Sequence, residues 1–141
     1  MTMRGRFEVL DHTADTAVRV EAADMEGLLA VSARAMFSLM FDLSAAVPSS
    51  LGRTVRVDAA TPEEMLVDWL SNLLSWSEID RVAYFDVATL DVTDTQARGE
   101  VRGAPVETLT LIGPPIKAVT YHGLEILRDG SRWEATIVFD V

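Results

Sequence analysis

The chain has 141 residues, 49% of them hydrophobic and 24% charged, with no cysteine and a net charge of −10. The length and composition are typical of one globular domain, which we place at 1–141, and the lack of cysteine excludes disulfides, thiolate nucleophiles and cysteine-bound zinc. Strong acidity opposes contact with phosphate backbones. We therefore expect no direct nucleic-acid binding, and instead a basic protein partner or a hard cation.

Nothing in the sequence predicts an association with membranes. The first 15 residues, MTMRGRFEVLDHTAD, lack the hydrophobic stretch of a signal peptide, and no apolar run approaches the roughly 20 residues of a membrane-spanning helix. A reducing compartment also suits a chain without cysteine. We therefore expect a cytoplasmic protein without a membrane partner.

The chain begins with two short strands and a helix. Alternating apolar residues predict strands at 7–10 and 17–21, on either side of the polar stretch DHTADT. Apolar residues at helical spacing then predict a helix over 24–43, which begins at Asp24 as its N-cap.

A third strand and the strongest helix signal follow. The alternating segment TVRVDA predicts a strand at 54–59. In TPEEMLVDWLSNLLSW, which starts at Thr61, the threonine is a suitable N-cap and Pro62 suits the first turn. Met, Trp and Leu residues form one broad apolar stripe along this helix, which is typical of packing against a core and not of a cofactor site.

The second half of the chain consists of strand patterns. They cover 82–92, 97–106, 116–128 and 131–141. Asp129 and Gly130 form a tight-turn pair that predicts a β-hairpin between the last two. Helices early and strands late predict an α+β fold, a mostly antiparallel sheet with both helices packed on one face.

Carboxylates at two strand ends are the first candidate site. DHTAD contains His12 and Asp15 between the first two strands, and the last strand finishes with Asp140 and Val141. If the last strand lies beside the first ones, the two acids and an oxygen of Val141 could bind Ca²⁺, Mg²⁺ or Mn²⁺. The spacing does not require this, and helix-capping or solvated acids are the alternative.

The segment IKAVTYHG, at 116–123, is the second candidate. It contains Lys117, the only lysine among 12 basic residues, together with His122. The lysine could hold an anion, where an arginine fork would not substitute for its compact ammonium, and the histidine could transfer a proton or bind a ligand near neutral pH. The alternative is an ordinary strand whose polar side chains face water.

No catalytic machinery is evident. The sequence lacks a glycine-rich phosphate loop and a nucleophile elbow, and two histidines leave little room for a catalytic triad. We therefore predict that the protein is not an enzyme. A small metal-dependent phosphoesterase that uses His122 as general acid–base is the alternative within enzyme classes.

The ordered set FEVLDHTAD, LVDWLSNLLSW, KAVTYHGLEI and FDV, spanning about 7–141, resembles the archease family. This resemblance implies a compact strand-helix-strand-strand α+β domain. It also implies a protein cofactor of the RNA ligase that joins 2′,3′-cyclic-phosphate or 3′-phosphate ends to 5′-hydroxyl ends in tRNA splicing and RNA repair. The cofactor promotes guanylylation of the ligase's active-site histidine and its multiple turnover.

The resemblance also implies site residues. Asp15, Asp140 and a Val141 oxygen match the positions where the family holds a divalent cation, most often Ca²⁺. His12, Lys117 and His122 lie in the matching motifs, which makes them candidates for supporting the site or contacting the partner.

Three positions depart from the family pattern, and a different function stays open. Asn72 stands where glutamate is common, Thr110 stands where histidine is frequent, and EAADMEG lacks a glycine before the first helix. Each could alter partner contacts. A general chaperone or an adaptor of RNA-processing proteins is the alternative function.

Overall fold

In the computed structural model, residues 5–10 and 16–141 are described, and they form eight strands, two α-helices and one short 3-10 helix. The strands are β1 (Gly5–Leu10), β2 (Thr16–Ala22), β3 (Gly52–Asp58), β4 (Val82–Val92), β5 (Gln96–Pro105), β6 (Ala118–Thr120), β7 (Leu127–Asp129) and β8 (Arg132–Asp140). The helices are α1 (Met25–Met40), α2 (Pro62–Asp80) and the 3-10 turn Val106–Thr108.

The strands form two antiparallel sheets. The larger sheet has the order β1-β2-β8-β6, and β7 adds to the same β8 strand. The smaller sheet has the order β3-β5-β4. These observations confirm the predicted α+β class and its antiparallel pairing, and they add that the strands divide between two sheets.

Both helices begin where the sequence predicts, at a side-chain cap. The Asp24 carboxylate accepts a hydrogen bond from the Gly27 N–H at 2.7 Å, and the Thr61 hydroxyl accepts one from the Glu64 N–H at 3.1 Å. Each cap satisfies one of the amide groups that the first helical turn leaves without a partner. The first helix ends at Met40, three residues before the predicted end.

The helices pack between the two sheets, which explains the wide apolar surface of α1. This helix contacts β1 and β2 of the larger sheet and β4 of the smaller one, while α2 contacts β3, β4 and β5 as well as β6. One hydrophobic core results, with residues from both sheets and both helices around the buried Trp69, Phe37 and Phe139. Neither helix in the described part of the chain is long and apolar enough to cross a bilayer.

The predicted strand over 116–128 is two short strands instead. Only Ala118–Thr120 and Leu127–Asp129 pair with β8, and a turn that contains Gly123 separates them. Gly123 has a φ of 64°, a left-handed conformation that glycine adopts readily and that interrupts a strand. The hairpin at Asp129 and Gly130 is confirmed, since β7 pairs with β8 across this turn.

Candidate cation and partner-binding site

The end of β8 lies between two neighbouring strands of the larger sheet. Phe139 is paired with Thr16, the first residue of β2, and on the other side Asp140 is paired with Ala118 of β6. Thr16 directly follows Asp15 in the sequence, whereas Asp15 and the rest of DHTAD lie outside the described residues. The pairing therefore confirms that the last strand lies beside the first ones, and Asp15 as a ligand stays a prediction.

Asp140 and Val141 offer hard oxygen donors. The main-chain oxygen of Asp140 accepts a hydrogen bond from the Lys117 N–H at 2.7 Å, which leaves the exposed Asp140 carboxylate and the Val141 main-chain oxygen for a ligand. Such donors fit Ca²⁺ or Mg²⁺. Among residues 5–10 and 16–141, no three His, Cys, Asp or Glu side chains form a group that could hold a metal ion. A cation here needs further ligands, and its binding stays a prediction.

Lys117 is exposed in a segment that its apolar neighbours hold in place. Ile116 and Val119 are buried in the core on either side of it, whereas the lysine side chain is exposed just before β6. Because buried residues lie before and after Lys117 while its own side chain is exposed, its ammonium lies at the surface, beside the strand that carries Asp140. Lys117 is available to an anionic ligand or partner.

Tyr121 links the KAVTYH segment to helix α2. Partial burial raises the pKa of the Tyr121 phenol, and the negative charges of Asp68 and Glu64 raise it further. Burial and the same Glu64 charge raise the pKa of Asp68, while a hydrogen bond with the phenol lowers it. Two motifs that are distant in sequence, one at the end of β6 and one on α2, therefore meet here.

Of the two histidines, only His122 is described, and the strand pairing does not bring it to Asp140. His12 lies outside the described residues. His122 is exposed, and its main-chain N–H donates a hydrogen bond to the Thr120 hydroxyl at 3.2 Å. Thr120 is the last residue of β6 that pairs with β8, so His122 lies beyond the paired part of the strand. A shared acid–base site of His122 and Asp140 has no support in this arrangement.

Sequence reasoning missed the segment 109–116, which packs along the end of α1. The Asp42 N–H donates to the Thr110 oxygen and the Ile112 N–H donates to the Met40 oxygen, each at 2.9 Å. The Ile116 N–H donates to the Met40 sulfur at 3.4 Å. The only sequence signal was the turn GPP, which indicates a bend and not a docked segment.

Two departures from the family pattern now have structural positions. Asn72 donates a hydrogen bond from its side-chain amide to the Asp68 main-chain oxygen at 2.8 Å, one turn earlier in α2. Thr110 lies in the docked segment with an exposed side chain. Asn72 therefore contacts Asp68 within α2, and Thr110 contacts Asp42 just after α1.

Comparison with known proteins supports one family throughout. A family model described as the archease protein family (MTH1598/TM1083) matches residues 7–141. A protein named "Protein archease" from Methanopyrus kandleri is 34% identical, over 96% of this chain and 99% of its own length. A second protein of that name, from Methanosarcina barkeri, is 31% identical over the full length of both chains.

Solved structures agree with the sequence comparisons. The solution structure of protein 1598 from Methanobacterium thermoautotrophicum superposes with a TM-score of 0.78 and 26% identity, over 96% of this chain and 98% of the other. The crystal structure of an archease from Thermotoga maritima, described as a possible chaperone, gives a TM-score of 0.64 at 21% identity over 94% of each chain, which shows the shared fold. The chain therefore belongs to the archease family.

Proposed function

We propose that this protein is an activator of an RNA ligase that joins 2′,3′-cyclic-phosphate or 3′-phosphate ends to 5′-hydroxyl ends. In this proposal it promotes guanylylation and repeated turnover of the ligase in tRNA splicing and RNA repair, and it is not itself an enzyme. Family membership over residues 7–141 is the observation that carries the proposal.

The surface at the end of β8 supports an action through a protein partner. Lys117 and Asp140 carry exposed side chains of opposite charge, and one main-chain hydrogen bond joins the two residues. A small substrate is normally held in a concave site that buries most of its surface. Exposed charges on a sheet end suit contact with another macromolecule better.

The same proposal includes a divalent cation at this end of the sheet. Asp140 and a Val141 oxygen would hold it, together with Asp15, which directly precedes Thr16 in the sequence. The cation would supply positive charge that attracts phosphate or carboxylate oxygens of the partner. The carboxylate of Asp140 would retain the ion, and the Lys117 ammonium would add a second cationic group at this end of the sheet.

A general chaperone is the second candidate, because Leu111 and Ile112 are exposed apolar residues. A chaperone of this kind would slow the aggregation of unrelated heat-denatured proteins, whereas a dedicated activator would act on the ligase alone. Turnover of phosphoesters by the isolated protein, lost in His122→Ala, would instead support the phosphoesterase alternative.

The test is RNA ligation by the cognate ligase with RNA in large excess, with GTP and Mn²⁺, with and without this protein. We expect the ligase to stall after few turnovers alone and to continue when the protein is added. Asp140→Ala should remove the stimulation, whereas Asp91→Ala, an exposed acid on the smaller sheet, should keep it. Equal ligation with and without the protein would contradict the proposal.

A further inference from the structure

We propose that residues 109–116 form a preformed docking segment, whose exposed Leu111 and Ile112 insert into an apolar, basic-rimmed pocket of the partner ligase. This inference rests on the proposed function and deepens it, because it names the part of the surface that binds the partner. It involves different residues from the predicted cation site.

The apolar residues of the docking segment are unusually exposed for their position. Leu111 is 70% exposed and Ile112 is 60% exposed, although the segment lies directly on the core through the buried Ile116. Leu111 and Ile112 are adjacent in the sequence. Other large exposed apolar residues, such as Ile79 and Leu127, have no such residue next to them in the sequence. Exposed large apolar side chains that are concentrated in one short segment mark a candidate protein-binding surface.

The backbone of the docking segment is fixed before any partner arrives. Thr110 and Ile112 are each held by a main-chain hydrogen bond of 2.9 Å to the chain at the end of α1, and Ile116 is held by the Met40 sulfur. Gly113 lies so close to the Leu39 carbonyl oxygen that a β-carbon would not fit. A segment that is already ordered loses little conformational entropy on binding, which favours affinity.

The docking segment is adjacent to the candidate cation site. Met40 contacts the segment twice, through its main-chain oxygen at Ile112 and through its sulfur at Ile116. The next residue, Lys117, donates its N–H to Asp140. A partner that covers the docking segment is therefore placed beside the exposed lysine and aspartate.

Charge identifies the kind of partner. Two exposed acids lie close to the docking segment. Asp42 contacts Thr110 through a main-chain hydrogen bond, and Glu107 precedes the segment by two residues in the sequence. Hydrogen bonds from Ser44 lower the pKa of Asp42, which keeps it ionised at neutral pH. With a net charge of −10, two copies of this chain repel each other, whereas a pocket with basic residues at its rim is attracted. These charges therefore favour another protein with a basic surface over a second copy.

The experiment titrates protein variants into the multiple-turnover ligation assay and measures both the maximal rate and the protein concentration that gives half of it. The test variant is the double substitution Leu111→Ser with Ile112→Ser. The matched control is Leu127→Ser, which replaces a 54% exposed leucine on β7. Leu127 is paired with Glu134, six residues before Asp140, so it lies about 20 Å from the site along β8.

We expect the double variant to need about tenfold more protein for half-maximal stimulation, with little change in the maximal rate, since truncation of two anchors weakens docking. The control should match wild type, and all proteins should bind Ca²⁺ with the same affinity.

A double variant that stimulates like wild type would overturn the docking segment alone. If wild type gives no stimulation, the proposed function fails and the docking segment with it. A wild-type dimer that the double variant converts to a monomer would assign the surface to self-association and overturn the inference.

Discussion

The substitution Gly113→Ala tests whether the docking segment is as tightly packed as the structure indicates. A β-carbon at this position would overlap the Leu39 carbonyl oxygen. Because ordinary carbon–oxygen contacts lie at about 3.3 Å or more, the two segments must part by about 1 Å. Such overpacking costs about 1–3 kcal/mol, and loss of the 2.9 Å hydrogen bond from Ile112 to Met40 adds about 1 kcal/mol. We therefore expect a loss of about 2–4 kcal/mol in the free energy of unfolding.

Urea unfolding followed by circular dichroism measures this loss as a lower midpoint with an unchanged slope. The control is Gly130→Ala, where φ is 61° and no atom lies within 4 Å of the added carbon. Only left-handed backbone strain acts there, and it costs about 1 kcal/mol. If the free energy of unfolding of Gly113→Ala lies within about 0.5 kcal/mol of the wild-type value, the segment moves away from α1 at little cost. The described packing against α1 is then wrong.

Three further predictions concern single contacts. Asp24→Ala should lower the free energy of unfolding by about 1 kcal/mol, and Asp24→Asn by much less, in the same urea assay. A hydrogen bond from Arg53 lowers the pKa of Asp80, so this carboxylate stabilises the fold above the ordinary aspartate pKa of about 3.9 and loses that effect as the pH falls below it. Asp80→Asn should therefore be less stable at pH 7 and show a smaller loss on acidification. Asp68→Asn should lower the raised pKa of Tyr121, measured by absorbance during alkaline titration, whereas an unchanged pKa would contradict their contact.

Local chemistry made the helices predictable from the sequence. Asp24 and Thr61 each provide a side-chain oxygen at the residue before a helical apolar pattern, and both serve as caps. The hairpin at Gly130 was predictable for a similar reason, because its turn needs a left-handed residue. These features depend on residues close together in the chain.

Features that depend on distant residues were not predictable in the same way. Alternation within 116–128 does not reveal that Gly123 interrupts the strand, because a glycine is compatible with either conformation. The division into two sheets depends on which strands meet across the helices. The docking segment depends on the hydrogen bond between Ile112 and Met40, 72 positions apart in the printed sequence, and no local pattern encodes it. The physical reading named the candidate site residues but left alternatives open, and family resemblance favoured one of them.

Covalent labelling of the ligase with GMP shows directly whether this protein promotes guanylylation. Purified cognate ligase is mixed with labelled GTP and Mn²⁺, without RNA, and the labelled fraction is followed over time with wild type, Asp140→Ala or Asp91→Ala. We predict that wild type and Asp91→Ala accelerate labelling at least about tenfold, an effect of about 1.4 kcal/mol on the barrier, and that Asp140→Ala does not. Equal labelling rates in all reactions, including the one without this protein, would contradict it.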